Sequence, residues 1–281
     1  MRVRVPSSSA NLGPGFDALA IALDIGIEVS VEPAEQLSLE TTGFGSELKD
    51  PTKHLGVSLA TEILGHQNFA LTIHSEIPLA RGLGSSAALA VAVAAAAGAP
   101  SPLAVGTKVD GHAENAAASV YGGFVTASVE DGEIFVAQLP LDPALRFVVV
   151  IPERELATAD ARRVLPSTVS YHDAAFNLSR VALLTAGLAD HRLLQATAMD
   201  DRLHQPFRMG LLPFAADVLA ATREAGALAS CWSGAGSTML AVVTEEVAEQ
   251  TAAAARSVLQ DHSEAGEVRV VDADRRGLRV L

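Results

Sequence analysis

The chain has 281 residues, 49% hydrophobic and 19% charged, enough apolar content to bury a core and too much for a disordered chain. Thirty-three acids against 20 bases leave a net charge of −13, which repels a phosphate backbone and argues against nucleic acid as a partner. The longest apolar stretch, 87–99, is too short to span a bilayer, no secretory leader is evident, and the single Cys231 excludes an internal disulfide, so a reducing cytoplasm is the expected setting and no membrane partner is expected.

Along the chain, alternating Arg and Val at 2–5 predict a half-buried strand. Residues 6–15, rich in Ser, Asn, Gly and Pro, read as a shaped loop. Strand-like runs follow at 26–33, 37–41 and 69–77, with a helical pattern in the second half of 50–65. A turn at 78–86 opens into a helix at 87–97, and a shorter helix covers 102–109. Residues 122–139 read as a hairpin turning at Asp131-Gly132. Beyond it come a strand at 147–151, helical patterns at 172–188, 190–201 and 214–225, strands at 227–232 and 238–243, a long helix at 245–260 and a strand at 267–271. Helices mixed with hairpin-paired strands predict an α+β fold. Pro140 and Pro143 punctuate the middle and suggest two domains, 1–143 and 144–281.

Three glycine-rich segments carry the chemistry. In Gly82-Leu83-Gly84-Ser85-Ser86-Ala87-Ala88, the glycines permit positive φ and close approach of a ligand. Ser85 or Ser86 is a suitable N-cap, and the free N–H groups of the first turn make an anion site. No Gly-Lys-Ser/Thr follows, so this is not a P-loop, and Ala87 stands where a dinucleotide fingerprint needs its third glycine. An ordinary helix after a tight turn would read the same way in isolation. Ser7-Ser8-Ser9-Ala10-Asn11-Leu12-Gly13-Pro14-Gly15-Phe16-Asp17 reads either as a polar connector or as a rigid loop presenting Asn11 and Asp17. Ser233-Gly234-Ala235-Gly236-Ser237-Thr238 reads as a tight turn or as backbone packed against a ligand. Lys49, Lys53 and Lys108 are the only lysines, so a phosphate or carboxylate clamp must rely on Arg, backbone N–H groups and metal.

Taken together, in this order, the three segments resemble the signature motifs of the GHMP kinases, and further stretches resemble the homoserine kinase family among them. Gly111-His112-Ala113-Glu114-Asn115 is similar to that family's Gly-His-Pro-Asp-Asn segment. Thr158-Ala159-Asp160-Ala161-Arg162 is similar to its Thr-x-x-x-Arg segment, and Leu203-His204-Gln205-Pro206-Phe207-Arg208 to its Leu-His-Gln-Pro-Tyr-Arg segment. The resemblance runs from Val3 to about Val243. It implies an N-terminal domain like domain 2 of ribosomal protein S5, a ferredoxin-like C-terminal domain, and an active site in the cleft between them. The implied reaction is ATP plus L-homoserine giving ADP plus O-phospho-L-homoserine, a step toward threonine; homodimers occur in the resembled family, and the sequence itself does not give the oligomeric state.

The resemblance implies ATP contacts from Pro78, Arg81, Gly82, Leu83, Gly84, Ser85, Ser86 and Ala87. Arg162 and Arg208 suit the substrate carboxylate, since a guanidinium pairs with it bidentately. Asp17 suits the ammonium, Asn11 and Asn115 the hydroxyl, and Thr158 the hydroxyl or the transferring phosphoryl group. Gly236 is placed against the substrate. Mg²⁺ is assigned Ser86 and, where the family has Glu, Asp110. No general base stands out. The chain departs from the resembled pattern at Asp110, Ala113, Glu114 and Ser237, around the metal and the hydroxyl. A GHMP kinase for another small alcohol, or a weakly catalytic nucleotide binder, therefore stays open at this point.

Overall fold

The computed structural model describes residues 1–281. In the first half, β1 (Arg2–Ala10), β2 (Leu19–Pro33), β3 (Ser38–Gly43), α1 (Leu55–Leu64), β4 (Phe69–Ser75), α2 (Ser85–Ala96), α3 (Pro102–Asp110), α4 (Glu114–Tyr121), β5 (Phe124–Glu130) and β6 (Glu133–Leu139) follow one another. The second half holds β7 (Leu145–Pro152), α5 (Thr158–Arg163), α6 (Tyr171–Ala189), α7 (Gln205–Arg208), α8 (Ala215–Glu224), β8 (Ala229–Trp232), β9 (Met239–Thr244), α9 (Glu245–Asp261), β10 (Gly266–Val271) and β11 (Arg279–Val280).

The first sheet has the order β11-β1-β2-β4-β3, with β5 joining β2 and β6 joining β5. Its first strand is longer than the sequence suggests. Residues 6–10, read above as loop, continue β1, and Ser7, Ser8 and Ser9 are fully buried opposite Leu23, Ala22 and Ile21 of β2. Pro6, which has no N–H for the ladder, stands where the register shifts by a bulge, so its missing donor is tolerated. Three consecutive serines show no apolar alternation. Pairing with the fifteen-residue β2 nonetheless fixes them as strand.

Helix α2 packs against β1 and β2 and is buried almost all round, with Ala87, Ala88, Ala90, Val91, Ala92, Val93 and Ala94 at 0% exposure. Small side chains let its neighbours come close. A Cβ on Gly106 of α3 would lie 2.7 Å from Val91 and 2.9 Å from the Cβ of Ala116 on α4. Helix α4, not evident in the sequence, ends at Gly122 in the left-handed region.

The second sheet is fully antiparallel in the order β10-β7-β9-β8, with α8 and α9 packed against it. Strand–helix–strand–strand–helix–strand with this order is the ferredoxin-like arrangement. Both faces of β7 are covered: Val148 and Val150 face the α8–α9 cluster, while Phe147, Val149 and Ile151 join the large core reaching the first sheet. That is why the run is continuously apolar rather than alternating. The helix read at 190–201 is absent; a single 3-10 turn, His191–Leu193, is followed by turns. Asp142 captures both the His191 N–H (3.0 Å) and its ring Nδ1 (2.7 Å), which turns the chain there, and Leu194 and Met199 reach the core from irregular backbone. No helix is long and apolar enough to cross a membrane.

Candidate active site

The three glycine segments meet. The Ser8 N–H donates to the Leu83 carbonyl (3.2 Å), the Gly234 N–H to Ala10 (2.9 Å) and the Thr238 N–H to Arg81 (3.0 Å), while the Ser233 hydroxyl donates to the Gly82 carbonyl (2.7 Å). Contact this close requires glycine. A Cβ on Gly82 (φ +76°) would sit 2.2 Å from the Ser233 carbonyl oxygen, and one on Gly84 (φ +64°) would sit 2.1 Å from Ser8 Oγ. Asn11, Leu12 and Gly13 are successive left-handed residues, with Asp17 a fourth. Such strain in non-glycine residues costs about 1–3 kcal/mol each and concentrates at functional sites.

These segments border a cleft of about 370 Å³. One wall is the start of α2. Gly84, not a serine, is the N-cap, and no side chain caps the helix. The first intrahelical bond from this end runs from the Ala88 N–H to the Gly84 carbonyl (2.9 Å), so the N–H groups of Ser85, Ser86 and Ala87 precede it. An uncapped end with an aligned dipole is a ready anion site. Gly82, Gly84, Ser85 and Ser86 line the cleft, whereas Pro78, Leu83 and Ala87 are buried and do not. Arg81 lines it too, but its N–H groups go to the carbonyls of Leu79 (2.8 Å), Pro152 (2.9 Å) and Glu153, with Glu155 at 3.2 Å. Leu48, Leu55, Leu79 and Leu89 give one part of the cleft an apolar lining that sequence reasoning did not pick out.

Elsewhere around the cleft lie Asn11, Asp17, Thr158, Arg162 and Arg208. Thr158 and Arg162 share one face of α5 at i, i+4 spacing. Asp17 and Arg162, assigned opposite substrate charges above, pair with each other bidentately at 2.6 and 3.1 Å, which raises the arginine pKa above its ordinary value. Arg208 is 1% exposed; burial first, then Arg162, brings its pKa down to about 10, still charged at neutral pH. Phe16 is the shared platform: the Arg162 and Arg208 guanidinium carbons lie 5.3 and 5.6 Å from its ring centroid, and the His204 ring stacks at 5.1 Å. Asn11 donates to the Gly234 carbonyl (2.8 Å) and accepts the Asp17 N–H (3.0 Å), so it shapes the loop as well as facing the cleft. Gly236 does not line the cleft, though Gly234 and Ala235 do. It lies against the buried ring of Trp232, 2.8 Å from where its Cβ would be.

Between these walls, Asn115 donates to Asp110 (2.8 Å) and accepts from the Ser8 hydroxyl (2.8 Å). His112 Nδ1 sits 3.1 Å from both Asp110 and Glu114, and these carboxylates, Asp110 foremost, raise its pKa to about 10. Glu114 is 1% exposed, and its second oxygen, Oε2, has no hydrogen-bond partner. Asp17, His112 and Glu114 also bring three ligand atoms within 4.8 Å of one another. A histidine held protonated between two carboxylates is a poor metal ligand, however, and Mg²⁺ prefers oxygen. Ser86 and Asp110 offer hard oxygens on the same cleft.

A cleft between an S5-like sheet and a ferredoxin-like sheet, with an uncapped helix start on one wall, defines a GHMP-type kinase. The model of the GHMP kinases N terminal domain matches residues 53–123, and that of the GHMP kinases C terminal matches 182–261. The homoserine kinase of Moorella thermoacetica is 41% identical over 255 residues, 85% of this chain and 86% of the relative. That of Thermus thermophilus is 40% identical over 253 residues, 86% of each. The crystal structure of homoserine kinase from Cytophaga hutchinsonii superposes with a TM-score of 0.87 at 30% identity, covering 100% of this chain and 97% of the other. Mevalonate diphosphate decarboxylase from Staphylococcus aureus, with a TM-score of 0.68 at 16% identity, shares the fold. The chain belongs to the homoserine kinase family.

Proposed function

We propose that the chain transfers the γ-phosphoryl group of ATP to the hydroxyl of L-homoserine, giving ADP and O-phospho-L-homoserine. The observation that carries this reading is one cleft with an uncapped helix start on one wall and two arginines and an aspartate elsewhere on its lining. In this reading residues 1–143 supply the nucleotide wall, and residues 144–281 supply both arginines.

The N–H groups of Ser85 and Ser86 donate to phosphate oxygens, and the leucines at 48, 55, 79 and 89 cover the adenine. The Arg208 Nη2 edge and Arg162 take the substrate carboxylate, and Asp17, keeping its bond to Arg162, accepts from the ammonium. Asn115 keeps a second amide hydrogen for the hydroxyl, and Thr158 borders the same space. Ser86 and Asp110 would hold Mg²⁺, whose role when bound is to offset phosphate charge. Phosphoryl transfer depends on positioning and charge neutralisation more than on covalent catalysis. No side chain is assigned as a general base; in this reading the hydroxyl proton passes to phosphoryl oxygens or to water.

The test is ADP release from Mg-ATP with L-homoserine, L-threonine, L-serine, mevalonate and galactose. Turnover selective for homoserine supports the assignment. Turnover on mevalonate or galactose instead would keep the fold and overturn the substrate.

A further inference from the structure

Arg208 has little freedom left. Its Nε donates to the Ala161 carbonyl (3.1 Å), and its Nη1 donates to His204 Nδ1 (3.0 Å) and to the Gly234 carbonyl (3.0 Å). Only the Nη2 edge is without a protein acceptor. The direction in which that edge points is therefore set by whatever fixes α7 and the His204 ring. Four residues cannot sustain a helix unaided.

Asp201 supplies the support. Its side chain is fully buried. Oδ2 accepts the N–H groups of His204 (2.9 Å) and Gln205 (2.6 Å), and Oδ1 accepts the Leu203 N–H (2.8 Å) and the Asn177 amide (2.8 Å). Three successive backbone donors on one carboxylate lock the entry to α7. The ring of His204 is then fixed from its far side: Nε2 lies 2.7 Å from the Gly13 carbonyl, so Nε2 carries the hydrogen and Nδ1 is a bare acceptor for Arg208. Burial lowers the pKa of this imidazole to about 4, which keeps Nδ1 free at neutral pH. Neither Asp201 nor His204 lines the substrate cleft.

We propose that Asp201, acting through His204, is the positioning residue that aims Arg208 at the substrate carboxylate. The proposal rests on the reading of Arg208 given above, and a double-mutant cycle separates the two. Asp201→Asn raises the homoserine KM about tenfold while kcat and the ATP KM change less than about twofold. In an Arg208→Ala background the same substitution produces no further rise in homoserine KM. An equal rise in both backgrounds, or none with Arg208 present, overturns the positioning role and leaves the reading of Arg208 intact. A normal homoserine KM in Arg208→Ala alone overturns both. Should Asp201→Asn fail to fold, His204→Phe enters the same cycle, since it keeps the stack on Phe16 and removes the acceptor. His204→Gln, which can accept again, should then recover most of the lost KM; equal losses in the two variants would overturn the role of the acceptor.

Discussion

At the scale of single residues, the site depends on which charged groups already hold one another. Asp17 and Arg162 are each legible as ligand groups, but 145 residues separate them, and nothing local announces that they pair. In the proposed reading, their pairing gives the substrate a dipole to bind rather than two separate charges. A bidentate fork does this and an ammonium does not. Arg162→Lys should therefore raise the homoserine KM about tenfold, with the ATP KM little changed; steady-state kinetics in both substrates checks it. His204 gives a second expectation. Burial lowers its pKa from 6.5 to about 4, so between those values the unfolded chain binds a proton that the native protein does not. Stability falls as pH drops through that window. In His204→Phe this part of the stability–pH curve should be flatter; denaturation midpoints from pH 4 to 7 test it.

Among elements, the glycine turns at 82–84 and 234–236 were the most legible, because their positive-φ backbone is written in a residue type that few other conformations need. The hairpin at Asp131-Gly132 and α9 were legible for the same reason, local turn chemistry and clear periodicity. Residues 6–10 and 190–201 were not. The first lacks alternation yet is held by β2, and the second has a helical pattern yet is diverted by Asp142, whose partners lie 49 residues away. Gly82→Ala tests the loop as an element. With 2.2 Å between the new Cβ and the Ser233 carbonyl, the turn must shift, and a positive φ adds strain. The expected result is a rise in ATP KM larger than that in homoserine KM, accompanied by a lower melting temperature.

Over the whole molecule, the two sheets share one apolar core, with Val3, Leu23 and Val91 in the same cluster as Phe147, Leu184 and Leu240. The chain also returns to its starting sheet, since β11 pairs with β1 at Val3–Val280. Asp274 secures that return: it is 4% exposed, accepts the N–H groups of Arg276 and Gly277 (2.9 Å each) and holds Arg279 at 2.7 Å. Asp274→Ala leaves Arg279 without its partner and should cost about 3 kcal/mol. Urea unfolding should show this as a lower midpoint of a single transition rather than the loss of one half. The α+β class was legible from the mixed strand and helix pattern and the pair of sheets from the family resemblance, but this closure was not, because a two-residue strand carries no periodicity.

Trp232 is the only tryptophan in the chain. Fully buried, with its indole nitrogen unpartnered and its ring beneath Gly236, it lies two residues from the Gly234 carbonyl that Arg208 and Asn11 share. The molecule thus carries its own optical reporter, sitting directly behind one wall of the cleft and undiluted by any other indole. If the proposed reading of Arg208 holds, ligand that pulls on it should change the emission of that one fluorophore, so binding to the cleft can be followed by light in the native sequence, without a label and without turnover.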